Sequence, residues 1–255
     1  FPNTAAEPKI DDSSLCITRD AHKCILCGDC VRMCNEVQNV GAIDFAHRGS
    51  KMTISTAFDR PIAQSPCVGC GQCAAVCPTG AITVKSNAAQ VWKALDDKNT
   101  KVTVQIAPAV RVGIGKSLGV KNGTNTIGKI VAALRRMGFD EVYDTSTGAD
   151  LTVLEEANEF VHRLESGENM PLFTSCCPAW VQYCEKNYPE LLPNVSTCRS
   201  PMQMFASVIK AQGGSAAKKH VHVAVMPCTA KKYEAKRKEF MVGGEPQVDF
   251  VISTQ

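Results

Sequence analysis

Cys24-Ile25-Leu26-Cys27-Gly28-Asp29-Cys30-Val31-Arg32-Met33-Cys34 and, further along, Cys67-Val68-Gly69-Cys70-Gly71-Gln72-Cys73-Ala74-Ala75-Val76-Cys77-Pro78 share one ruler, C-x2-C-x2-C-x3-C. A loop of this spacing turns three thiolates onto one corner of an iron–sulfur cube and sends the fourth to a second cube. The expected ligand sets are therefore Cys24, Cys27, Cys30 and Cys77 for one [4Fe-4S] cluster, and Cys67, Cys70, Cys73 and Cys34 for the other. Zinc sites use two separated pairs, a form neither run has. Asn35 stands where proline is usual after the first run, which loosens a turn and removes no ligand.

Working outward, each run leads into a Gly-Ala-Ile, Gly41-Ala42-Ile43 and Gly80-Ala81-Ile82, and then a short strand. A cysteine loop followed by a short strand, twice, is how a small two-cluster ferredoxin folds, and cluster binding should supply much of its folding energy. The expected organisation is a lead-in segment over 1–20, with Cys16 incidental, a ferredoxin-like α+β module over 21–85, and a second domain over 86–255.

In that second part strands and helices alternate. Strands are expected at Val102–Ile106, Glu141–Tyr143, Leu172–Thr174, Val221–Met226 and Val248–Ile252. A connecting helix is expected at Ala88–Leu95, and helices at Ile127–Met137, ended by Gly138, and at Leu151–Leu164, the latter strongly amphipathic. Pro178 suits the first turn of a further helix. This alternation predicts an α/β domain with a mostly parallel sheet, whose ligands sit beyond the carboxyl ends of the strands. Pro108, Cys176, Cys177 and Cys228 fall at such ends.

The chain has 255 residues, 44% hydrophobic, with fourteen cysteines and a net charge of +3. That length suits two domains. It is too long and too apolar to need disulfide staples, and free thiolates for iron imply a reducing, anaerobic setting. The charge gives no nucleic-acid signature. No apolar run approaches the ~20 residues that span a bilayer, and no secretory signal is visible. Because the chain starts at Phe1, an upstream portion or a cleaved leader is expected.

Three strand-end segments are distinctive together: Ile106-Ala107-Pro108-Ala109-Val110-Arg111, Thr174-Ser175-Cys176-Cys177-Pro178-Ala179-Trp180, and Met226-Pro227-Cys228-Thr229-Ala230-Lys231-Lys232-Tyr233-Glu234. From about residue 21 to the end, the sequence resembles iron-only ([FeFe]) hydrogenases. The resemblance implies a diiron–cubane cofactor, the H-cluster, whose diiron subsite carries carbonyl, cyanide and a dithiolate bridge. It assigns Cys177 and Cys228 to the cubane, Cys176 to proton transfer beside the diiron subsite, and Lys231 to a cyanide. Pro108 and Ala109 fall to the other cyanide, with Ser200 among the cofactor-binding residues. It also implies a proton route through Arg163, Glu156, Ser196 and Glu159. The implied activity is reversible hydrogen oxidation and proton reduction, with a ferredoxin or flavodoxin as electron carrier. Location in the cytoplasm is implied, with a hydrogenosome-like organelle or the periplasm as alternatives.

The family's third cysteine-rich signature is absent, so the remaining cubane ligands are expected outside this chain, in a missing C-terminal segment or a second chain. The alternative function is a non-catalytic relative: an iron–sulfur assembly factor, a hydrogen sensor or an electron-transfer subunit. Plainer readings stand beside the site residues. Glu159 and Arg163 at i, i+4 can be a surface ion pair, and Cys176 and Cys177 buried core thiols. Lys232, Lys236, Arg237 and Lys238 read as a solvated face, Cys184 and Cys198 as packing. Met202 stands where many relatives have glutamine.

Overall fold

The computed structural model describes residues 10–115, 119–121, 123–212 and 219–254. Contacts divide the chain into two compact units, one ending at Lys85 and one running over Ser86–Thr254.

The first unit contains β1 (Ile10–Asp11), β2 (Ile17–Asp20), α1 (Asp29–Arg32), β3 (Asp44–Ala46), β4 (Thr53–Ser55), α2 (Gln72–Ala75) and β5 (Ile82–Val84). β1, β2 and β5 form an antiparallel sheet, and β3 and β4 a separate hairpin. This corrects the lead-in expectation: residues 10–20 supply two strands of the module's sheet, while residues 1–9 lie outside the described residues. The reason is long-range pairing. β5 finds its partner in β2, and the Lys85 amide donates to the carbonyl of Cys16, which is buried with Ile17. α1 and α2 are single turns, each entered through a glycine at positive φ, Gly28 at 79° and Gly71 at 74°. Only glycine takes that conformation without strain, and at Gly28 an added Cβ would also meet the Phe45 ring at 3.0 Å.

The second unit contains α3 (Ala88–Asp96), β6 (Thr100–Ile106), α4 (Val110–Gly113), α5 (Ile127–Met137), β7 (Glu141–Asp144), α6 (Ser146–Ser166), α7 (Pro178–Asn187), α8 (Pro201–Gln212), β8 (Lys219–Met226), α9 (Lys231–Glu234), β9 (Met241–Val242), β10 (Glu245–Pro246) and β11 (Phe250–Ser253). Its main sheet has the order β11-β8-β6-β7, every pair parallel. The expected strand at Leu172–Thr174 is reduced to one bridge, Phe173 to Val195.

Strand alternation gives β6 two different faces. Val102, Val104 and Ile106 join Val91, Ile130 and Leu134 in the apolar core. Thr103 and Gln105 carry a buried polar chain. The Gln105 amide donates to the Met202 carbonyl (3.0 Å) and to His222 Nε2 (2.9 Å), so His222 carries its proton on Nδ1 and donates to Thr103 Oγ1 (2.8 Å). Thr103 in turn donates to His220 Nε2 at 2.8 Å, and Thr145 to Gln105 Oε1 at 3.0 Å.

α6 begins five residues before its expected start, and its apolar stripe does not face the core. Val153, Leu154 and Leu164 are 64%, 63% and 60% exposed, while Gly148, Thr152 and Arg163 are buried. Gly148 explains the inversion, because there α6 meets α8 so closely that a Cβ would lie 2.4 Å from the Pro201 carbonyl oxygen. The basic run is a solvated face only in part: Lys236 and Lys238 are exposed, but Lys232 and Arg237 turn inward. Lys232 is buried and donates to the Val251 carbonyl, and Arg237 pairs with Glu185 and Glu239.

Candidate metal centres and proton route

In the first unit, Cys24, Cys27, Cys30 and Cys77 line one cavity. Cys34, Cys67, Cys70 and Cys73 line another. The glycine-started turns α1 and α2 aim the middle cysteines inward, and the last cysteine of each run crosses to the other cavity. Among the described residues no three His, Cys, Asp or Glu side chains stand close enough to hold a single metal ion. Four sulfurs spaced around a void suit a cube rather than one zinc with its ~2.3 Å bonds. Burial pushes the Cys30 thiol up to about 11, helped by the charges of Cys24, Cys77 and Cys27. Burial and the neighbouring sulfurs push Cys73 up as well. Four thiolates cannot share such a space without a cationic core. At Cys77 burial pushes up, but the amides of Ile82, Thr79 and Ala81 and the Thr79 hydroxyl outweigh it and leave the thiol lowered. Amides of Ala42 and Gly69 also point at Cys34 Sγ (3.3 Å) and Cys67 Sγ (3.4 Å).

In the second unit, Pro108 and Ala109 follow β6 and are exposed, as are Cys176 and Cys177. Cys177 caps α7, with Pro178 in its first turn. Cys228 follows β8. Burial raises its thiol, and Cys177 lies near enough to push the same way. Lys231 is anchored from two sides: its ammonium donates to Glu234 Oε2 at 2.7 Å and to the Cys176 carbonyl at 2.8 Å. An ammonium has three protons, so among the described residues one remains for a ligand. Glu234, which the sequence shows within a motif but leaves without a role, is the carboxylate that holds this ammonium. Its signal was the lysine three residues earlier, one helical turn away.

Of the expected proton route, Arg163, Glu159 and Ser196 are brought together. Arg163 Nη2 lies 2.5 Å from Glu159 Oε1, and Ser196 Oγ donates to Oε2 at 2.7 Å. Burial raises the Glu159 carboxyl, but its donors from Ser196, Thr197 and Arg163 outweigh that and hold it lowered. Cys198, expected as packing, also donates to Glu159, at 3.6 Å. Burial raises the Cys198 thiol, and Glu156 stands close enough for its charge to add to the rise. No hydrogen bond among the described residues joins Glu156 to Cys176. Glu159 opens on a polar cleft that includes His162, Glu168 and Asn169. Ser200 is buried, and with Ser196, Cys198 and Glu234 it lines a second cleft.

Comparison with known families finds a 4Fe-4S dicluster domain over residues 23–81 and the iron only hydrogenase large subunit, C-terminal domain, over 100–255. The chain belongs to the iron-only hydrogenase family. It is 46% identical to the NADP-reducing hydrogenase subunit HndD of Solidesulfovibrio fructosivorans, over 96% of this chain and 43% of that one. It is 40% identical to iron hydrogenase 1 of Clostridium pasteurianum, over 96% and 44%. It is also 32% identical to cytosolic iron-sulfur assembly component 3 of Bos taurus, over 76% and 44%. Apo [FeFe]-hydrogenase HydA1 from Chlamydomonas reinhardtii superposes with a TM-score of 0.61 and 43% identity, over 67% of this chain and 46% of that one. The chain thus spans less than half the length of these relatives. The ferredoxin-like module is a two-[4Fe-4S] domain, and the parallel-sheet unit is part of an H-cluster domain. No helix among the described residues is long and apolar enough to cross a membrane.

Proposed function

We propose that the chain is the electron-relay and first catalytic portion of an [FeFe]-hydrogenase, interconverting protons, electrons and dihydrogen. One observation carries the reading: Cys177, which caps α7, and Cys228, which follows β8, stand near each other beside a lysine with one ammonium proton not taken up among the described residues. When bound, the clusters supply electron transfer and the diiron subsite supplies the making and breaking of the H–H bond. Cys177 and Cys228 would hold the cubane, with its other ligands from polypeptide outside this chain. Lys231, aimed by Glu234 and the Cys176 carbonyl, would donate to a cyanide, a charge-assisted bond in a half-buried site. Pro108, Ala109 and Ser200 would shape the rest of the pocket. Cys176 would give and take the reacting proton, which reaches it from the cleft beside Arg163 by way of Glu159, Ser196 and Glu156. A ferredoxin-type protein would deliver the electrons.

The likeness to an iron–sulfur assembly component supports a second, non-catalytic reading. Infrared spectra of the native holoprotein separate the two. Bands of metal-bound carbonyl and cyanide, together with hydrogen evolution from a reduced dye, are expected of the enzyme; a protein with filled cubanes and neither band refutes it.

A further inference from the structure

Three consecutive residues close on one carboxylate. Ser196 Oγ donates to Glu159 Oε2 (2.7 Å), the Thr197 amide to Oε1 and Oε2 (3.1 and 3.2 Å), the Thr197 hydroxyl to Oε1 (3.2 Å), and the Cys198 thiol to Oε2 (3.6 Å). Arg163 completes the set, and the carbonyls of Asn169, Pro193 and Val195 hold its guanidinium in turn. A carboxylate offers about four lone-pair sites, so this one is saturated. A plain surface pair keeps one partner and stays mobile; neither member can swing here. Cys198 makes two further bonds: its amide donates to Ser196 Oγ at 3.1 Å, and its carbonyl accepts from Ser175 Oγ at 2.5 Å. Ser175 immediately precedes Cys176.

We propose that Thr197 and Cys198 are positioning residues of the proton route, locking the Glu159 carboxylate in one orientation and tying it through Ser175 to the loop that carries Cys176. The role in a route rests on the hydrogenase reading; the clamp itself does not. Cys198 is the donor, since a carboxylate can only accept, and its thiol is raised by burial and by the charge of Glu159 against the lowering bond from Ser196. The charged or titratable groups around the carboxylate are Arg163, Glu156 and His162 from α6, Glu168 across the cleft, and Cys198. Losing a donor to the charged form raises a carboxyl's proton affinity. Turnover that needs ionised Glu159 then loses its acid limb at higher pH.

Two readouts test this on the native holoprotein. The infrared S–H stretch of Cys198, identified as the band missing in Cys198→Ala, is expected at lowered frequency and should move up in Glu159→Gln, whose amide is the weaker acceptor. In Thr197→Val the acid limb of the hydrogen-evolution profile should move up by about half a pH unit, with Thr197→Ser restoring it. An S–H band indifferent to Glu159→Gln, or a Thr197→Val profile that overlays the native one, overturns the inference. Absence of hydrogen turnover in the native protein overturns the route and the proposed function together, while the S–H band still decides whether the clamp exists.

Discussion

Lowering the pH should loosen the sheet of the second unit through one side chain, His222. It is fully buried, its Nε2 accepts from Gln105 and its Nδ1–H donates to Thr103. A second proton has no acceptor there. Burial, and then the charges of His220 and Lys210, push the imidazole from 6.5 down to about 3. Above pH 6.5 neither the folded nor the unfolded chain carries this proton, and the full stability is present. As pH falls below 6.5 the unfolded chain takes it up and the folded one does not, so stability drops by about 1.36 kcal/mol per pH unit. By pH 5 the loss from this group is about 2 kcal/mol, and it continues until the folded value near 3 is reached. Hydrogen–deuterium exchange of peptides covering β6 and β8 reads it. After correction for intrinsic rates, their slowest amides should exchange roughly tenfold faster per pH unit between 6 and 4. His222→Gln keeps a donor and an acceptor but cannot be protonated in this range. It should cost about 1 kcal/mol at pH 7 and remove that slope. Equal slopes in the native and His222→Gln proteins would refute the argument.

Gly148→Ala forces a methyl to within 2.4 Å of the Pro201 carbonyl oxygen and 2.7 Å of Phe205 Cβ; thermal unfolding should show a loss of about 1–3 kcal/mol. Glu234→Gln strips a nearly buried ammonium of its counter-charge, so a loss of about 3–5 kcal/mol is expected, along with a shifted cyanide band in the holoprotein; an unchanged melting temperature would show the pair to be dispensable. Extracting iron from the holoprotein should abolish exchange protection over residues 10–85 and spare the β6–β8 amides, because the module's core is small and its cavities are walled by thiols.

Local features were legible in the order of residues alone. Cysteine spacing is covalent geometry, so the two runs announced their loops without any tertiary information. The 3.6-residue period of Ile127–Met137 and its closing Gly138 marked α5 in the same way, with Gly138 at φ 103°. The three distinctive motifs named the family because each compresses a site into adjacent residues. The tertiary structure decided whatever depends on partners distant in the chain. Residues 10–20 look like a polar lead-in until β5, some sixty positions away, pairs with them. Glu159 reads as half of an i, i+4 ion pair until residues 196–198 fold over it. The apolar stripe of α6 promises a core-facing helix, yet the helix turns the other way. The physical reason lies in Gly148, where the absence of a side chain lets two backbones approach more closely than any apolar contact would. Periodicity measures which residues share a helix face; it carries no information about which face a neighbouring backbone will claim.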